Sequence, residues 1–176
     1  MRNTACHLGA IFSEPDVLQK IWDWNKENLT AEELKYKLLL ATNNMENTTC
    51  HFAAKRGKLD LLQEMWEWAK ENLTTVEIKN NLLLATDSDG NTAWHWAIEC
   101  GELDVLQEIW EWAKEKLTTD ELKYKLLLAT DRRGNTAWHK AANWGELDLL
   151  QQIWEWAEEI LTTEERKNKL FLASDS

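Results

Sequence analysis

Between Leu103 and Leu117 the chain reads LDVLQEIWEWAKEKL, with apolar residues at Leu103, Val105, Leu106, Ile109, Trp110, Trp112, Ala113 and Leu117. Advanced by about 100° per residue, these positions fill one half of a helical circumference. Asp104, Gln107, Glu108, Glu111, Lys114 and Glu115 fill the other half. The pattern predicts an amphipathic helix from near Glu102 to about Lys116. Residues two apart point to nearly opposite sides of a helix, so Trp110 and Trp112 sit at the two edges of the apolar half. An arc that wide touches more than one neighbour. The helix is therefore expected to be wedged between neighbours, with one indole toward each side.

The pair recurs as Trp22/Trp24, Trp66/Trp68 and Trp154/Trp156. His7, His51, His95 and His139 keep the same interval of 44 residues, as do Gln19, Gln63, Gln107 and Gln151. Four copies account for all 176 residues without insertion. A fixed period of this size predicts stacked units that each contact only their neighbours, in one repeat domain. The copies run over approximately 1–45, 46–89, 90–133 and 134–176.

Each copy reads as three helices and a turn. The first helix is short, TAWHWAIEC from Thr92, and ends at Gly101, with Gly57 and Gly145 at the same place. Glycine there suits a left-handed C-terminal position. The third helix opens with Thr118 and Glu121, a capping box that recurs as Thr30/Glu33, Thr74/Glu77 and Thr162/Glu165. The turns TDSDGN and TDRRGN follow, with Gly90 and Gly134 able to take positive φ. No segment alternates with period two for long enough to predict a strand.

The runs DGNTAWHWAIECGELDVL and RGNTAWHKAANWGELDLL resemble the ankyrin repeat, whose signature is a D-x-x-G turn followed by T-P-L-H-x-A-A-x-x-G and an L-x-V-V-like run. The resemblance covers the first half of each copy: Thr92, His95, Ala97, Gly101, Leu103, Val105, Leu106 and their equivalents. The proline of T-P-L-H is absent, and its leucine is replaced by Cys6, Cys50, Trp94 and Trp138. The period is 44 rather than the family's 33. The excess follows the second helix, where the family makes a β-hairpin finger and this chain has its capped third helix. The resemblance implies an all-α, ankyrin-like α-solenoid of four 44-residue repeats. It also implies that each histidine ties its helix to neighbouring turn backbone.

A net charge of −11 argues against binding nucleic acid or an anionic membrane through the phosphate field. No run of about 18 apolar residues offers a membrane span, and the start MRNTACHLGA lacks the apolar centre of a signal peptide. Three widely spaced cysteines do not make a disulfide framework, so a reducing, intracellular and cytoplasmic setting is expected. Glycosylation-type triplets at Asn28, Asn47 and Asn72 are read as chance without an export signal.

Candidate chemistry is sparse. Packed helices lie about 8–10 Å apart, whereas two nitrogens on one zinc cannot be more than about 4 Å apart, so the histidine ladder cannot share an ion. The same spacing keeps Cys6 and Cys50 outside disulfide reach. No phosphate loop, H-E-x-x-H, C-x-x-C or nucleophile–base pair is present. No cofactor, metal or catalytic residue is expected.

Positions that packing fixes should repeat between copies, and positions freed from packing are at liberty to diverge. Divergence concentrates in the turn (Asn44, Met45; Ser88, Asp89; Arg132, Arg133) and on the first helix: Phe52, Lys55 and Arg56, then Trp96, Glu99 and Cys100, then Lys140, Asn143 and Trp144. In ankyrin-like proteins these places line the concave binding surface, and Trp and Arg are enriched at binding hot spots. Trp96 could equally pack between layers, since Leu8 and Phe52 share its position. The third helix carries a lysine edge, Lys35, Lys79, Lys123 and Lys167, which either exchanges ion pairs between helices or receives an acidic partner segment. Arg166 replaces Leu34, Ile78 and Leu122 and suits a C-terminal cap, while Ile11 and Phe12 leave the first copy apolar. The expected function is a non-catalytic module that binds a protein partner as a monomer, the alternative being a structural solenoid that self-associates end to end through its N-terminal face.

Overall fold

A computed structural model describes residues 15–171. Cys6, His7, Leu8, Ile11 and Phe12 lie outside the described residues. Those described are all-α, with eleven α-helices and four π-helical segments and no strand among them. Their order is α1 (Pro15–Asn28), α2 (Ala31–Leu34), π1 (Lys35–Leu39), α3 (Thr49–Lys55), α4 (Leu59–Asn72), α5 (Thr75–Ile78), π2 (Lys79–Leu83), α6 (Ala93–Glu99), α7 (Leu103–Lys116), α8 (Thr119–Glu121), π3 (Leu122–Leu127), α9 (Ala137–Trp144), α10 (Leu147–Ile160), α11 (Thr163–Arg166) and π4 (Lys167–Phe171). The long helices α1, α4, α7 and α10 each hold 14 residues and share one register. The short first helices pack in a row, α3 on α6 and α6 on α9.

The four capping boxes form as the spacing predicts. In α5, Glu77 N–H donates to Thr74 Oγ1 at 3.3 Å and Thr74 N–H donates back to Glu77 Oε2 at 2.9 Å. Thr30, Thr118 and Thr162 cap α2, α8 and α11 in the same way. Beyond the first turn the structure departs from the expected ordinary third helix. Leu40 N–H reaches Lys35 O at 2.9 Å, Leu84 reaches Lys79 at 2.9 Å and Leu128 reaches Lys123 at 3.0 Å, all i→i+5. Consecutive side chains diverge by about 100° on an α-helix, and the wider π turn rotates less per residue. It therefore keeps both members of Leu38/Leu39, Leu82/Leu83 and Leu126/Leu127 turned inward, and all six are buried.

The tryptophan pairs join neighbouring units. Trp66 stacks on Trp112 at 4.7 Å with planes 7° apart, and Trp110 stacks on Trp156 at 4.7 Å and 18°. Trp22 meets Trp68 edge-on at 6.5 Å. The first indole of each pair faces the following unit and the second faces the preceding one, so the wide apolar arc has two neighbours. Trp94 leans on both Trp110 and Trp156 at 5.6 and 5.3 Å, making a three-indole cluster. In the preceding unit Cys50 stands at this position, and a small void of about 20 Å³ adjoins it, lined also by Met65, Trp66, Ile109 and Trp112.

Candidate functional site

The turns and the first helices form one surface, built on three carboxylate or amide side chains at equivalent positions. Asp87 Oδ1 accepts from Asp89 N–H at 2.9 Å and Asn91 N–H at 2.8 Å. Asp131 Oδ1 accepts from Arg133 and Asn135 N–H, both at 2.9 Å. Asn43 Oδ1 does the same for Met45 at 2.9 Å and Asn47 at 3.0 Å. Adjacent turns are zipped by one backbone bond each, Ser88 N–H to Met45 O and Arg132 N–H to Asp89 O, both 2.8 Å.

The histidines hold the helices to these turns. His51 Nδ1 accepts from Thr48 N–H at 3.1 Å, which assigns the proton to Nε2, and Nε2 donates to Asn91 O at 3.1 Å. His95 repeats the arrangement with Thr92 and Ala129 O at 3.2 Å. Both nitrogens of each ring are thus spent on structure. Burial holds the His51 imidazole below its ordinary range. It takes His95 down to about 4, with the Lys140 ammonium adding to the effect.

Four of the divergent first-helix residues join units to one another. Lys55 Nζ lies 3.8 Å from the centre of the Trp96 ring, and Trp96 Nε1 donates to Asp87 Oδ2 at 3.0 Å. Lys140 Nζ bridges Glu99 and Asp131, both at 3.2 Å. Burial alone would raise the Asp131 carboxyl. The Asn135 N–H and the Lys140 ammonium outweigh it and hold the carboxyl below its usual range. Divergence at Lys55, Trp96, Glu99 and Lys140 therefore reflects matched partners rather than freedom from packing. Phe52 is half-buried and packs against the core.

The remaining expected site residues stay at the surface. Arg56, Cys100 and Trp144 occupy one register position at the ends of α3, α6 and α9, all exposed, Trp144 to 57%. Asn143 is exposed beside Trp144, and Asp89, Arg132 and Arg133 are exposed at the turn tips, with Ser88 half-buried. Met45 at the first turn tip is also exposed. These residues form two rows, one at the helix ends and one at the turn tips.

The lysine edge takes the first of its two readings and exchanges ion pairs between helices. Lys35 pairs with Glu77 at 2.6 Å, Lys79 with Glu121 at 2.7 Å and Lys123 with Glu165 at 2.5 Å. Each lysine reaches the capping glutamate of the next unit, which leaves Lys35, Lys79 and Lys123 committed within the chain. Lys167 alone among these four is exposed. The sequence left the two readings open because the partner of each lysine depends on the angle between units.

The fold is similar to that of a chain in the crystal structure of the yeast ribosomal protein Rps3 in complex with its chaperone Yar1. The TM-score is 0.65 and the identity 21%, over 86% of this chain and 89% of that one. At this identity the likeness is one of fold. No family model matches the chain, and no curated protein matches it in sequence. Among the described residues, no helix is long and apolar enough to cross a membrane.

Proposed function

We propose that the chain is an ankyrin-like solenoid of four 44-residue units that binds a protein partner, without chemistry of its own. The carrying observation is the row Arg56, Cys100 and Trp144, three exposed side chains of different character at one register position. The residues beside them, Lys55, Trp96, Glu99 and Lys140, hold the units rigid. A rigid frame reduces the ordering cost of binding, and a large exposed indole in register with the exposed Arg56 has the composition of an interface anchor. The partner surface is thus Arg56, Cys100, Asn143 and Trp144 with Asp89, Arg132 and Arg133. A reducing intracellular setting is part of this reading, supported by the free thiols of Cys50 and Cys100.

The test compares wild type with Arg56→Ala/Trp144→Ala as baits, after both show the same helicity and melting temperature. Loss of a captured partner from the double variant supports this surface. Retention of every wild-type partner by the variant sinks it.

A further inference from the structure

Every junction described between successive units uses the same two contacts. The first indole of one unit meets the second indole of the next, as in Trp66–Trp112 and Trp110–Trp156. The third-helix lysine meets the next capping glutamate, as in Lys79–Glu121 and Lys123–Glu165. The two ends of the described structure carry the two halves of this junction.

At the C-terminal face, Lys167 is exposed and has no ion pair among the described residues. Leu147 is 73% exposed, Trp144 is exposed, and Leu150 and Trp154 keep part of their surface in solvent. Their equivalents Leu106 and Trp110, one unit earlier, are wholly buried by the unit that follows. This is not the polar outer face of a capping unit, despite Arg166. The Arg166 guanidinium bonds back to Glu158 O and Leu161 O and lies over the Trp154 ring at 5.4 Å. A second indole laid on that pair would sandwich the cation.

At the N-terminal face, Trp24 is 62% exposed at the register position of Trp68, Trp112 and Trp156. Glu33 closes its capping box and accepts Lys37 at 2.7 Å. Glu121 is held in the same way by Lys125, and it accepts Lys79 from the preceding unit as well. Glu33 therefore has the geometry to take one more lysine.

We propose that the C-terminal face of this chain docks the N-terminal face of a second copy, head to tail, in the register that joins its own units. Trp24 of the incoming copy lies over the Trp154–Arg166 pair, and its Glu33 accepts Lys167. This surface is separate from the row at Arg56, Cys100 and Trp144 except for Trp144 at its edge, and it revises the expectation of a monomer.

The experiment is sedimentation velocity of the full chain from about 1 to about 300 μM in about 0.15 M salt. The expected result is a sedimentation coefficient that rises with concentration. Trp24→Ala and Lys167→Glu should each weaken association by about tenfold or more. An equimolar mixture of the two variants should form one-to-one pairs and nothing larger, because one intact C-terminal face then meets one intact N-terminal face. Leu147→Asp, also at an exposed position, replaces Lys167→Glu if that variant loses helicity. A wild type that stays monomeric throughout overturns the proposal. So do single variants that associate as strongly as wild type, and a mixture no heavier than its components.

Discussion

Trp66 and Trp112 stack at 4.7 Å with their planes 7° apart, one from the middle of α4 and the other from the middle of α7. The contact joins the first indole of one W-x-W pair to the second indole of the next. It explains why each long helix devotes half its circumference to apolar residues: the helix has a neighbour before it and a neighbour after it. Aromatic pairs of this kind add about 0.5–1.5 kcal/mol beyond the area they bury.

Trp110 is fully buried against Trp94 and Trp156. Trp110→Ala should cost about 3–5 kcal/mol by the cavity it leaves. Trp24→Ala, at a 62% exposed position, should stay within about 0.5 kcal/mol. Urea denaturation of both variants checks this, and a Trp110→Ala midpoint equal to wild type removes the wedge as an explanation.

Glu46 has φ of 59°, the left-handed region, at the turn position that Gly90 and Gly134 occupy in later units. A side chain there costs about 1–2 kcal/mol that glycine avoids, offset in part by the entropy glycine loses on folding. Glu46→Gly should therefore stabilise by up to about 1 kcal/mol, read as a higher melting temperature. A lower one would show that the Glu46 side chain contributes more than its backbone costs.

Stability should fall in two stages on acidification. Unfolded, His95 takes a proton near its ordinary 6.5; folded and buried, it does so only near about 4. The unfolded state holds more protons between these values, so stability drops as pH falls through that window, by about 3 kcal/mol for His95 alone. His51 shifts in the same direction, also through burial. The glutamates Glu33, Glu77, Glu121 and Glu165 are held down to about 2, first by their lysine partners and then by threonine donors. Their contribution is present above 4.5 and is lost as pH falls toward 2. Urea midpoints measured from pH 7 to pH 3 test both stages. A flat profile between 6.5 and 4 would mean that the folded state does not hold these histidines neutral.

Burial pushes the Cys50 thiol up to about 12, whereas Cys100 is exposed at the end of α6. Maleimide at neutral pH should label Cys100 in the native protein and reach Cys50 only after denaturation. Peptide mass spectrometry reads the two sites separately, and equal native labelling would contradict the burial of Cys50.

What the sequence reveals here is local chemistry that recurs. The Thr–Glu caps, the glycines at positive φ and the 14-residue long helices each depend on residues a few positions apart, and each forms as its spacing predicts. The π turns were not legible, because Leu82 and Leu83 fit an α-helix and a π-helix equally well until their burial is known. The site was read through divergence between copies, which treats difference as freedom. Position by position, Asn43 goes with Phe52, Asp87 with Trp96 and Asp131 with Lys140. Trp96 donates to its aspartate and Lys140 pairs with its own. Phenylalanine can donate nothing, and the charge it could not satisfy is missing from Asn43. Such residues change together because an acceptor and its donor change together, and only geometry reveals the pairing.

The lysine–glutamate rungs have a consequence for how the chain comes apart. Glu77 and Glu121 each serve two helices, closing the cap of their own and holding the lysine of the one before. Opening one unit therefore removes a counter-charge from its neighbour in the same event, and the cost of a break is shared across a boundary. Helices coupled in this way open like a zipper, from the edges of the described residues inward, and the most protected amides lie in α4 and α7.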